Sequence, residues 1–112
     1  MASSDQPMSW SRERCPAWCA REHDERDHPE DRYHQSEPTY VPVLASRAPS
    51  VPATASLEAL DLIVRVCRYD GDIVTWVAIE AADHPEPRLV LSLESARLLL
   101  HDLEEQLQRY DE

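Results

Sequence analysis

The sequence of 112 residues predicts an α+β fold: a small polar N-terminal segment, then an antiparallel sheet of three to four strands with one C-terminal α-helix packed on it. Two patterns indicate this fold. Residues 60–81 form two apolar stretches on either side of Asp70-Gly71, which is typical of a β-hairpin, and leucines recur at helical spacing after Ser92. Residues 58–112 are therefore a ββ(β)α unit. The whole chain is short enough to form one domain.

The first half of the chain divides into three parts. Residues 1–11 are polar and are predicted to form a disordered tail, whereas residues 12–44 are predicted to form a metal-binding segment, of which residues 12–37 are dense in charge. At the end of that segment, residues 39–44 predict a short strand. Pro42 confines this strand to a sheet edge, because proline has no N–H for the ladder. Residues 45–57 are rich in Ala, Ser and Pro and predict a linker.

The hairpin is predicted from its turn outwards. Gly71, the only glycine in the chain, falls where a type I′ turn needs a positive φ. A two-residue turn pairs Tyr69 with Asp72, and this register places Arg65 opposite Trp76, where the guanidinium can lie over the indole. Alternation then predicts one apolar face, made of Leu62, Val64, Val66, Thr75, Val77 and Ile79.

A third strand and a helix follow the hairpin. Residues 83–87 contain two prolines and are expected to break the ladder, and residues 88–91 predict the third strand. Ser92 is a good N-cap for a helix over residues 93–109. The predicted apolar stripe of this helix consists of Ala96, Leu99, Leu100, Leu103, Leu107 and Tyr110.

The charged segment contains a complete set of metal donors. Cys15, Cys19, His23 and His34 together offer two thiolates and two imidazoles, which is a tetrahedral shell for Zn²⁺. The first three recur at every fourth position, so we expect a helical turn that begins at Pro16 and points Cys19 and His23 the same way. His34 would return from the following loop as the fourth ligand.

The fourth ligand has a competitor in His28, five residues after His23. His34 is favoured, because the longer loop can return without strain and Tyr33 beside it can pack against Trp18. A segment this poor in apolar residues cannot offset its ordering entropy by burial. Bound zinc is therefore the expected source of its order.

Charge and composition exclude several classes of function. The net charge is −11, from 22 acidic and 11 basic residues, and such a chain repels the phosphates of nucleic acids and an anionic membrane surface. No apolar run reaches the length of a transmembrane helix, and the N-terminus lacks a signal-peptide pattern. We therefore expect a cytoplasmic protein, in which closely spaced cysteines bind metal rather than form a disulfide.

Three short motifs carry a resemblance to a known group of proteins. They are Cys15-Pro16-x-Trp18-Cys19-x-x-x-His23, His34-x-Ser36, and Leu93-Glu94-Ser95-Ala96-Arg97-x-Leu99. With them the chain resembles a family of small acidic actinomycete proteins of unknown function. The resemblance implies the ligand set named above and no known catalysis, and it supplies no partner.

The predicted function is that of a non-enzymatic zinc-binding protein, acting as a small protein-interaction or regulatory module around a structural Cys2His2 site. The chain has no His-Glu-x-x-His motif or relative of it, so no catalytic residue is assigned. The alternative is a zinc-thiol redox sensor or a small metal-dependent enzyme. The expected partner is another protein of unknown identity, and a homodimer is one such assembly.

Overall fold

The structure, a computed structural model, describes residues 8–46, 51 and 54–111, and of residues 84–87 it describes the backbone alone. It has the predicted α+β class, with an open antiparallel sheet of five strands and one C-terminal helix. In chain order the elements are β1 (Tyr33–Gln35), β2 (Thr39–Ser46), β3 (Leu57–Tyr69), β4 (Trp76–Ala81), β5 (His84–Ser92) and α1 (Leu93–Arg109). Single 3-10 turns cover Pro29–Asp31 and Thr54–Ser56. Part of the predicted tail and linker, residues 1–7, 47–50, 52 and 53, lies outside the described residues.

The long strand β3 organises the sheet. One of its edges pairs with β4. The other edge pairs with β2 along residues 57–64 and with β1 along residues 67–69. The strand predicted at 39–44 is confirmed as β2, and Pro42 lies on the sheet edge as expected. The short β1 was not predicted, because three polar residues give no strand pattern, yet it places His34 opposite Arg68.

The hairpin formed by β3 and β4 has the predicted faces but a different register. Val66 pairs with Val77 and Cys67 with Trp76, a displacement of two residues from the predicted pairing. An even displacement leaves every side chain on its predicted face. It does move Trp76 away from Arg65, so the predicted stacking of these two side chains is wrong.

The register differs because the connection between β3 and β4 is longer than two residues. The N–H of Asp72 donates to the carbonyl of Tyr69 at 3.0 Å, which closes a four-residue turn. Among the described residues only Gly71 has a positive φ, of 79°, so the turn matches type II rather than the predicted type I′. Residues 72–75 then continue as an irregular stretch before β4 begins.

The third strand of the predicted unit begins earlier than expected. β5 starts at His84, whereas residues 83–87 were expected to break the ladder. The break is nevertheless present as a jump in register, since Glu80 pairs with Arg88 and Ala81 with His84. Residues 85–87, which include two prolines, have no partner in this ladder.

The helix α1 has the predicted bounds and the predicted cap. The Oγ of Ser92 accepts a hydrogen bond from the N–H of Ser95 at 3.2 Å. Only Leu93 and Ala96 are half-buried, and every residue from 97 to 109 is exposed. The expected packing of the apolar stripe on the sheet is thus limited to the first turn, because β5 runs into α1 without a loop that could reverse the chain.

The described part of the chain has almost no hydrophobic core. Its only buried residues are Cys19, Ala78 and His34, while the apolar face of the sheet is half-buried. The radius of gyration is 17.7 Å, against about 13 Å for a compact domain of this length. Among the described residues, none of the helical segments has the length and apolar character that crossing a bilayer requires.

Gly71→Ala is expected to destabilise the fold by about 1–2 kcal/mol, because an L-residue is strained at this positive φ. The new Cβ would also lie 2.8 Å from Cδ of Arg12. Urea denaturation measures the loss. The control is Ile73→Ala, two residues further on, since its side chain is 93% exposed and its loss should change stability by less than about 0.5 kcal/mol. Equal effects of the two substitutions would contradict this account of the turn.

Candidate metal centre

The segment that carries the cysteines is not helical, and the helical turn predicted from Pro16 is wrong. The N–H of Cys19 donates to the carbonyl of Pro16 at 3.0 Å, which closes a single four-residue turn. The next N–H, that of Ala20, donates to the carbonyl of Gln35 at 2.8 Å. The backbone after Cys19 therefore runs beside β1 instead of continuing into a helix.

Four side chains converge at this turn: Cys15, Cys19, His23 and His34. One ligand atom from each lies within 4.8 Å of all the others. Nε2 of His23 is 3.7 Å from Sγ of Cys15 and 3.6 Å from Sγ of Cys19. Metal–sulfur and metal–nitrogen bonds of about 2.3 and 2.0–2.1 Å at a tetrahedral angle would separate the two atoms by about 3.6 Å. The cluster has the spacing of a shared tetrahedral metal ion.

The cluster contains two of the three buried residues of the described chain. Cys19 is 4% exposed and His34 is 1% exposed. Nδ1 of His34 is buried and has no hydrogen-bond partner among the described residues. An unpaired buried ring nitrogen is costly, whereas a metal ion would use its lone pair. Nδ1 of His23 is also buried without a described partner, and nothing in the structure explains it.

The other nitrogen of His34 is held by two carboxylates. Nε2 donates to Oδ1 of Asp70 at 3.0 Å and lies 3.7 Å from Oε1 of Glu13. A histidine that binds metal through one nitrogen usually donates the other N–H to a carboxylate, which fixes the tautomer and raises the basicity of the ligand. The arrangement leaves Nδ1 of His34 as the atom available to a metal.

Asp70 and Glu13 also join the cluster to the turn between β3 and β4. Oδ2 of Asp70 accepts the N–H of Arg12 at 2.6 Å, and Oε2 of Glu13 accepts the N–H of Gly71 at 2.9 Å. Glu13 further forms an ion pair with Arg68. No sequence pattern predicts the role of Asp70, because it lies 36 residues from His34 and meets it through the pairing of β1 with β3.

Aromatic rings cover the cluster on two sides. The indole of Trp18 meets the ring of His34 edge-on at 6.4 Å, and that of Trp10 meets His23 at 5.8 Å. Trp10 belongs to the predicted disordered tail, yet its Nε1 donates to the carbonyl of Asp24 at 2.8 Å. The expected contact of Tyr33 with Trp18 is not formed, since neighbouring residues of β1 point to opposite faces of the sheet.

The electrostatics of the cluster without a cation favour neutral groups. Burial raises the pKa of the Cys15 thiol to about 12, and the hydrogen bond and charge of Cys19 act in the same direction. The carboxylates of Glu13 and Asp70 raise it further. Burial lowers the pKa of His23, and the charge of the second imidazole lowers it again. Two thiolates can share this site only if a cation compensates their charge.

The remaining candidates lie away from the cluster. His28 is exposed and precedes the 3-10 turn of Pro29–Asp31, so the structure brings His34 rather than His28 to the other three side chains. Cys67 is half-buried in β3, on the face opposite to His34. The group of two cysteines and two histidines could bind a metal ion.

Asp70→Asn is expected to weaken the binding of a divalent probe such as Co²⁺ by about 10- to 100-fold, because the neutral amide supports the His34 imidazole less well. Titration of the reduced, metal-free protein, followed by cobalt absorption, measures the affinity. Asp72→Asn is the matched control, since among the described residues this carboxylate accepts a hydrogen bond only from the N–H of Ile73, in the same turn. Loss of affinity in the control, or none in Asp70→Asn, would contradict the assigned role.

Among curated proteins and solved structures, none matches the chain significantly. A family model described as "Domain of unknown function (DUF6907)" matches residues 3–112. Since this match covers nearly the whole sequence, the chain belongs to the DUF6907 family.

Proposed function

We propose that the chain is a non-enzymatic zinc-binding protein that acts as a small protein-interaction or regulatory module. Its Zn²⁺ is structural and is held by Cys15, Cys19, His23 and His34. The observation that carries the proposal is the buried Nδ1 of His34, which has no hydrogen-bond partner in the described part of the chain. Three further donors cluster with this histidine, while its Nε2 is held by Asp70.

The donor set supports zinc over other divalent ions. Two thiolates and two imidazoles in a tetrahedral arrangement are typical of zinc, whereas Mg²⁺ and Ca²⁺ prefer oxygen ligands. The charges also balance, since the two thiolates neutralise the ion and His23 is kept neutral by burial. The separations of 3.6 and 3.7 Å between the sulfurs and Nε2 of His23 agree with zinc bond lengths.

A structural role is supported by the completeness of the shell. A catalytic zinc keeps one position for water or substrate, with three protein ligands. Here four protein donors lie together, and aromatic rings of Trp10 and Trp18 cover two of them. The metal would also replace the missing core of this segment, because Cys19 and His34 are its most buried side chains.

An interaction role is supported by the exposed surface. Sixteen large hydrophobic residues of the described chain are exposed. Exposed apolar residues that form a contiguous patch are typical of protein-binding surfaces. The net charge of −11 argues against nucleic acid and anionic membranes as partners. The site needs two reduced cysteines. The cytoplasm keeps thiols reduced, which agrees with the expected cytoplasmic location.

A zinc-thiol redox sensor is the second candidate, and the partial exposure of Cys15 favours it. A sensor needs a thiolate that an oxidant can reach, and zinc lowers the thiol pKa that burial raises. Mild oxidation distinguishes the two functions, because a sensor releases its zinc and recovers it on reduction, whereas a structural site retains it.

Wild-type protein purified under reducing conditions is expected to contain one zinc per chain, measured by elemental analysis. Cys19→Ser should lose the metal and raise hydrogen exchange over residues 12–37, while the hairpin and α1 stay protected. Cys67→Ser is the matched control and should keep its zinc, since Cys67 lies on the other face of β3. Full occupancy in Cys19→Ser, or an ordered metal-free wild type, would refute the proposed site.

A further inference from the structure

The exposed face of α1 has the pattern of a helix-pairing seam. Its apolar residues alternate at three and four positions from Leu93 to Tyr110, which is the a/d spacing of a coiled coil. In order they are Leu93, Ala96, Leu100, Leu103, Leu107 and Tyr110. Leu100, Leu103, Leu107 and Tyr110 are all exposed, with Leu103 at 49%. The seam runs the length of the helix and no described residue of the same chain covers it beyond the first turn.

We propose that this seam pairs with α1 of a second copy of the chain, with the two helices antiparallel. In antiparallel pairs each a position packs against a d position of the partner. A single register then matches Leu93 with Tyr110, Ala96 with Leu107 and Leu100 with Leu103, so that every seam residue has a partner. A parallel pair would instead set the small Ala96 against itself and stack Tyr110 on Tyr110.

The charges beside the seam support the antiparallel direction. Arg97 and Glu104 both occupy e positions, and in the register above Arg97 of one copy lies beside Glu104 of the other. Two-fold symmetry forms this contact twice. Neither side chain has an ion pair within the described part of its own chain. The opposed helix dipoles of an antiparallel pair add to the preference.

The shape of the chain also indicates a second copy. Its longest dimension is 54 Å and its radius of gyration is 17.7 Å, both large for this length. Because α1 contacts the sheet only through its first turn, the seam from Leu100 to Tyr110 is open to a partner helix. Leu93 and Ala96 pack partly on the sheet, but both are only half-buried and keep surface for the partner. The inference rests on the interaction role proposed above and names one partner for it, but it does not depend on the metal.

The experiment is to measure the mass of the full, zinc-loaded chain in solution over a wide range of concentrations. Wild type is expected to show twice the monomer mass. Leu103→Asp, in the centre of the seam, should weaken self-association by at least tenfold and give the monomer mass. Leu98→Asp is the matched control: Leu98 is 68% exposed but lies on the opposite side of the helix, so the dimer should persist. Circular dichroism should show that both variants keep α1.

Charge reversal tests the direction of the helices. Arg97→Glu should weaken the dimer, and adding Glu104→Arg in the same chain should restore it. In a parallel pair these two side chains do not meet, so the second substitution would not rescue the first. A wild type that stays monomeric, a Leu103→Asp variant that stays dimeric, or the absence of rescue would each overturn the proposal.

The metal site and the dimer are separated by Cys19→Ser. This variant should lose its zinc and keep the dimer mass, because the seam does not touch the cluster. If it becomes monomeric, the dimer depends on the metal segment and the seam is not its basis. If wild type binds zinc but is monomeric, the metal proposal stands and the seam is refuted.

Discussion

The hydrogen bond between Nε2 of His34 and Asp70 is the contact on which the rest of this structure depends. His34 lies on β1 and Asp70 in the turn between β3 and β4, so the bond ties the metal cluster to the sheet. Through the same carboxylate the turn also holds the backbone of Arg12. A polar N-terminal segment is thereby fastened to a sheet that offers it little apolar surface. The arrangement makes the turn part of the site rather than a simple connection.

The scarcity of buried apolar side chains explains both proposals. A chain of this size normally gains its stability from one hydrophobic core, yet only Cys19, Ala78 and His34 are buried in the described residues. At the N-terminal end a metal ion would supply the missing cross-link. At the C-terminal end the seam of α1 remains uncovered, and a second copy would bury it. If both proposals hold, the two ends compensate for the same shortage by different means.

Charge places a further constraint on the site. In a chain with net charge −11, two cysteines lie near two carboxylates, so ionisation of both thiols is unfavourable unless a cation is present. Neutral His23 can bind such a cation without adding positive charge to the site. His34 can do the same through Nδ1, because its Nε2 donates to Asp70. The same acidity disfavours phosphate backbones and anionic membranes as ligands, which supports the proposal that the partner is a protein.

Local chemistry in the sequence determined the elements whose signals are short-range. The Ser92 cap, the bounds of α1, the edge strand at Pro42 and the grouping of four donors could all be read from neighbouring residues. Tertiary structure decided the features that need distant residues to meet: the strand β1, the register of the hairpin, and the pairing of His34 with Asp70. It also decided that the cysteine segment is a turn rather than a helix, because the N–H of Ala20 donates to Gln35 of β1. The exposed seam of α1 follows from the direct passage of β5 into the helix, which no periodicity reveals.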